Sequence, residues 1–90
     1  MTTKEQIIKD FQEYNDDANK NWADEKILQL CNYSEEDGVT KLTISIGKWR
    51  TTYHDLVVDD EGIQVKQQSA HNRLLEDVIH YVLNPIFFPQ

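Results

Sequence analysis

Ninety residues with 9 Lys and Arg against 16 Asp and Glu, a formal net charge of −7, allow one domain and argue against a partner as anionic as nucleic acid. Hydrophobic residues make up 39% of the chain, so the core is small, but two Trp, three Phe and many Ile, Leu and Val are enough to fold it. The single cysteine, Cys31, excludes an internal disulfide and a cysteine zinc set, which favours a reducing compartment.

The first ten residues carry acids and only a short apolar run, Ile7-Ile8, where a signal peptide needs about 7–15 apolar residues. Nothing approaches the roughly 20 apolar residues of a membrane span. The expectation is a cytoplasmic protein without membrane contact.

Thr2 and Thr3 are each followed three residues later by Glu5 and Gln6, the capping-box spacing that opens a helix. Ile7, Phe11, Tyr14 and Ala18 then recur at helical spacing, with Ile8 and Trp22 flanking the stripe. The weak helix formers Asn15-Asp16-Asp17 place its end near Asn15 or let it fray towards Asn21.

Lys26 to Tyr33 reads as a first strand, with Cys31 as a small core residue. Val39 to Ile46 is a half-buried strand, Thr40, Leu42, Ile44 and Ile46 alternating with Lys41, Thr43 and Ser45. Gly47-Lys48 reads as a two-residue hairpin turn, which sets Ile46 opposite Trp49 and turns His54 outward. That parity would bury Asp55 and expose Leu56 and Val58, so a bulge is expected near His54-Asp55 to restore the faces. Asp59 to Gly62 turns the chain into a fourth strand, Ile63 to Lys66.

Ser69 is the expected N-cap of a last helix, Ala70 to Leu83, with Leu74, Leu75, Val78, Ile79 and Val82 inward and His71 on the apolar side of its first turn. Asn84 before Pro85 should end it. The fold expected is α+β, order α-β-β-β-β-α: an antiparallel four-strand meander with two helices on one face, spanning residues 1–84 and followed by an apolar tail, 85–90.

The order of helix, strand meander and helix is similar to that of the double-stranded RNA-binding domain. The similarity is one of topology: that family opens its second helix with lysines that hold RNA phosphates, and Ser69-Ala70-His71-Asn72-Arg73 supplies one cation here.

Two turns repeat one pattern, Glu35-Glu36-Asp37-Gly38 and Asp59-Asp60-Glu61-Gly62. A meander brings both to the same end of the sheet, gathering six carboxylates. Their spacing lacks the alternating acids of a calcium loop, and His54, His71 and His80 do not converge, so no metal or cofactor is expected.

Cys31 has no neighbouring cation or helix N-terminus to activate it, and phosphate-loop and nucleophile-elbow motifs are absent. The expectation is a non-enzyme. It is a small acidic protein-binding module of inhibitor, immunity or chaperone type, covering a partner's basic surface through Glu35, Glu36, Asp37, Asp59, Asp60 and Glu61, with Trp22, Phe87 and Phe88 as apolar anchors. A homodimer through the tail is a further arrangement. The alternative is an anionic-ligand or nucleic-acid module using Lys41, Arg50, His54 and Lys66 on the outward sheet face.

Overall fold

The computed structural model describes residues 2–18 and 27–90. Helix α1, Thr3–Ala18, is started by the expected capping box. The Thr2 hydroxyl accepts from the Glu5 N–H at 3.1 Å, and the Glu5 carboxylate accepts from the Thr2 N–H at 3.4 Å. Ile7 and Phe11 are buried on its inner face.

Asn15 does not end the helix. Its side chain is 7% exposed. The Asn15 amide donates to Leu28 O at 2.8 Å, and Asn15 Oδ1 accepts from the N–H groups of Leu28 at 2.8 Å and Ile27 at 3.2 Å. One amide thereby satisfies the first backbone groups of an edge strand that has no neighbouring strand on that side among the described residues.

The sheet is the expected antiparallel meander, β1 (Leu28–Glu36), β2 (Val39–Ile46), β3 (Thr52–Asp59) and β4 (Gly62–Gln68). Asp37-Gly38 closes the first hairpin between Glu36 and Val39, with φ of 53° and 79°. Both central residues are left-handed, the conformation of a type I′ turn, which favours Asp-Gly.

The second hairpin departs from the two-residue turn. Ile46 pairs with Thr52, so residues 47–51 form the connection. Three extra residues change the parity of β3: Asp55 faces outward, while His54, Leu56 and Val58 face the core and are buried. No register shift separates β2 from β3. The irregularity at Asp55/Leu56 lies on the other side, in the pairing with β4, where Lys66 is the extra residue.

A second bulge at Cys31 interrupts β1 between Leu30 and Asn32 and leaves Cys31 exposed, not in the core. Each open edge of the sheet therefore carries a bulge, a feature that blunts strand addition.

The C-terminal helix starts and ends later than its sequence suggests. Ser69 pairs with Tyr53, its N–H donating to Tyr53 O and its Oγ accepting from the Tyr53 N–H, both at 2.9 Å. Asn72 provides the cap, its Oδ1 accepting from the Leu74 N–H at 3.0 Å. His71 lies ahead of the helix and is exposed.

The helix runs as α2 (Leu74–Val78), a π segment (Ile79–Leu83) and α3 (Asn84–Phe87). Pro85 lacks an N–H and would strand a carbonyl one turn back. The chain widens before it, the Asn84 N–H donating to Ile79 O, and helical structure passes through the proline. The boundary expected at Asn84 thus falls within a helix, and Ile86 and Phe87 pack against the core.

The core joins Ile7 and Phe11 of α1, Leu28, Leu42, Ile44, Ile46, Leu56 and Val58 of the sheet, and Leu75, Val78 and Leu83 of the C-terminal helix. No helix among the described residues is long and apolar enough to cross a membrane.

Gly47 has φ of +151°, and a Cβ there would lie 2.0 Å from Arg50 O. Gly47→Ala should lower stability by about 1–3 kcal/mol, seen as a lower urea midpoint. Asn15→Ala, which leaves the buried Leu28 backbone groups unpaired, should lower it by about 1–3 kcal/mol, with hydrogen-exchange protection lost first at Leu28.

Candidate functional site at the turn end

The row Glu35, Thr40, Val58, Ile63 crosses the sheet in order, and the pairs Glu36–Val39 and Asp59–Gly62 follow it on the same side, so both acidic turns lie at one end. Helix α1 runs antiparallel to β1: Asn15 holds Leu28 at the far end, and the Thr3 hydroxyl reaches that of Tyr33 near the turns. The C-terminal helix runs back along α1. Burial and, after it, the charges of Asp77 and Asp17 raise the pKa of Tyr14, and Ile86 shares a surface depression with Thr2, Thr3 and Gln6.

The start of α1, the two acidic turns and the chain's final aromatic residues thus share what we call the turn end. The loop end, opposite, carries residues 47–51 and the Ser69–Arg73 segment.

At the turn end the six acids are not equivalent. The Tyr33 hydroxyl donates to the Glu35 carboxylate, and Asp59 Oδ1 accepts from the Glu61 N–H at 2.9 Å. Glu36, Asp37, Asp60 and Glu61 are exposed, and their carboxylates make no hydrogen bond or ion pair with a described residue. Among the described residues no three His, Cys, Asp or Glu side chains are grouped to hold a metal ion. The carboxylates form a diffuse negative field rather than a ligand cage.

Phe87 is half-buried on the core. Phe88 is 37% exposed and lines a depression of about 580 Å³ with His80, Asn84, Pro85, Pro89 and Gln90. Trp22 lies outside the described residues.

The structure does not bring the four residues of the alternative site together. Lys41 and Lys66 line an outward depression of about 610 Å³ with Asn32, Ser34, Thr43, Asp55 and Val57. Arg50 is in the exposed 47–51 loop, and His54 is 0% exposed on the inner face. Asp55 joins the outward face instead, accepting from the Thr43 hydroxyl at 2.7 Å, and Glu36 and Asp59 share that face. The outward face is of mixed charge, without the basic character expected of it.

His54 is a joint of the fold. Its Nδ1 lies 2.8 Å from Gln68 Oε1 and its Nε2 2.7 Å from Thr52 Oγ1. Thr52 Oγ1 also accepts from the Asn72 amide at 3.1 Å, and Asn72 caps α2. The imidazole thereby connects β3, β4 and the start of the C-terminal helix, with both ring nitrogens paired.

Trp49 was expected opposite Ile46 inside the sheet. It stands in the 47–51 loop, 85% exposed, between Lys48 and Arg50, with the Lys48 ammonium 5.9 Å from its ring centroid. The sequence signal was indirect: the parity conflict at Asp55, Leu56 and Val58 is resolved equally well by a longer loop, and a longer loop expels the Trp.

No protein-family model, curated protein or solved structure matches the chain.

Burial, then the hydrogen bond and charge of Glu35, raise the Tyr33 pKa from 10.0 to about 12, against the opposing Thr40 and Thr3 hydroxyls. The neutral phenol is the form the fold favours. This contribution to stability is complete below pH 10 and lost as pH rises towards about 12. Ultraviolet titration against Tyr33→Phe should show the late ionisation, and Glu35→Gln should move it to lower pH.

Proposed function

We propose that the chain is a non-enzymatic protein-binding module that uses its turn end to cover a cationic surface on a partner. The observation that carries this reading is the convergence of both acidic turns and the end of the C-terminal helix on one end of the molecule. Charge for steering and an apolar side chain for anchoring then belong to one surface.

Unpaired exposed carboxylates raise the encounter rate with a basic surface. Phe88, already half in water, gains burial when the surfaces meet. Occlusion of the partner's own binding or catalytic surface is the mechanism, as for proteins of inhibitor, immunity or chaperone type. The unpaired Cys31 thiol on the β1 edge fits a reducing compartment and supports a cytoplasmic place of action.

The test begins with partner capture and continues with association kinetics. A variant carrying Glu36→Gln, Asp37→Asn, Asp60→Asn and Glu61→Gln should associate about tenfold or more slowly at low ionic strength and lose most of its salt dependence. Phe88→Ala should act on the dissociation rate instead. Wild-type kinetics in both variants would remove the turn end from the interaction.

A further inference from the structure

The buried His54 ring shares its protons with a rotatable hydroxyl. Its Nδ1 lies 2.8 Å from Gln68 Oε1 and its Nε2 2.7 Å from Thr52 Oγ1. An amide oxygen can only accept, so Nδ1 carries a proton in the neutral ring. The Thr52 hydroxyl has one proton to give, and two acceptors compete for it: Nε2 at 2.7 Å and Ile46 O at 3.3 Å. The Asn72 amide takes one lone pair of the same oxygen at 3.1 Å, which leaves the other for a second donor.

We infer that His54, Thr52 and Ile46 form a proton-operated clasp at the base of the 47–51 loop. With the ring neutral, the Thr52 hydroxyl donates to Nε2 and releases Ile46 O. When Nε2 takes a proton from solvent it becomes a donor to Thr52 Oγ1, and the hydroxyl proton turns to Ile46 O. The ring gains one positive charge, and the network gains one hydrogen bond.

That bond has a defined place in the fold. Ile46 ends β2 and pairs with Thr52, the first residue of β3, so it closes the base of the loop that carries Trp49. The Gly47 N–H already holds the first residue of the loop to Ile27 O at 2.9 Å. Asn72 stays on Thr52 Oγ1 in both states, and the start of α2 is undisturbed. Acid thus tightens the Trp49 loop and alkali loosens it.

The ring's hydrogen-bond partners are all neutral. On the strands around it, Lys41, Asp55 and Lys66 belong to the outward face of the sheet. In the loop, Lys48 is half-buried with its ammonium 5.9 Å from the Trp49 ring centroid, and Arg50 is exposed. On the C-terminal segment His71, Arg73, Glu76 and Asp77 are exposed; on α1 Asp16 and Asp17 are exposed and Tyr14 is half-buried. Among the described residues His54 is the one buried titratable side chain. Its added charge is therefore met by the dipoles of Gln68, Thr52 and, through the hydroxyl, Ile46.

Nuclear magnetic resonance of the labelled full chain from about pH 4 to 9, a span that brackets the charge change of imidazoles, follows each proton. The imidazole 15N shifts should show the Nδ1–H tautomer at the alkaline end and both nitrogens protonated at the acid end. The Ile46 carbonyl 13C resonance should move downfield with the same midpoint, and backbone order at residues 48–51 should rise with it. In Thr52→Val, which keeps the shape and removes the hydroxyl, the carbonyl should no longer follow the ring. Thr52→Ser should restore the response.

An Nε2–H tautomer in the neutral ring overturns the inference, as does an Ile46 carbonyl or a loop that ignores the ring's titration. An unchanged carbonyl response in Thr52→Val, or a ring that keeps one protonation state until the chain unfolds, overturns it as well. The wild-type resonances decide the matter even where Thr52→Val does not fold.

Discussion

The register between β2 and β3 is the constraint from which the rest of the molecule follows. Side chains in a strand alternate between faces with a period of two, so the length of the connection decides which half of β3 meets the core. With residues 47–51 outside the ladder, Ile46 meets Thr52 and Ile44 meets His54. Leu56 and Val58 then complete an apolar face continuous with Leu42 and Ile44, and Asp55 reaches water. Had the connection been two residues long, the same strand would have buried a carboxylate beside Ile and Leu.

That register also determines where polar groups must be satisfied. It puts the His54 imidazole in the core, where Thr52 and Gln68 meet its two nitrogens and Asn72 extends the network into the cap of α2. Asn15 does comparable work for α1, holding both backbone groups of Leu28. Each helix is thus fixed to the loop end by a polar contact, buried at Asn15 and half-buried at Asn72, while the apolar core fills the space towards the turn end. Polar contacts of this kind specify one arrangement of helix on sheet more sharply than apolar packing does.

Much of this was legible in the residues. The Thr2 and Glu5 capping box, the bounds of β2, the Asp37-Gly38 turn and the meander that gathers the acidic turns all follow from local chemistry that the tertiary structure leaves unopposed. Gly47 was legible as a positive-φ residue but not as the start of a longer loop, because glycine suits both connections. The clash that a Cβ would make with Arg50 O is visible only in three dimensions. Pro85 misled for a related reason: its rule concerns an α-helix, and the π segment from Ile79 to Leu83 evades that rule by changing the hydrogen-bonding pattern. Asn15 looked like a helix end and His54 like a surface residue because nothing local identifies the partners that receive them. Trp49, the most exposed aromatic residue described, was hidden by the same loop-length ambiguity.

The resulting molecule has two unlike ends separated by strands of about 25–30 Å. One end is acidic with Phe88 at its rim, and the other presents Trp49 and Arg50. The places of Trp49, His54 and Asp55 depend on β3 sitting in its observed register, and cross-strand nuclear Overhauser contacts measure that register directly. Contacts joining Ser45 to Tyr53 and Thr43 to Asp55 are the predicted result. Contacts joining Ile46 to Trp49 and Ile44 to Thr51 would contradict the account, returning Trp49 to the sheet and His54 to its outer face.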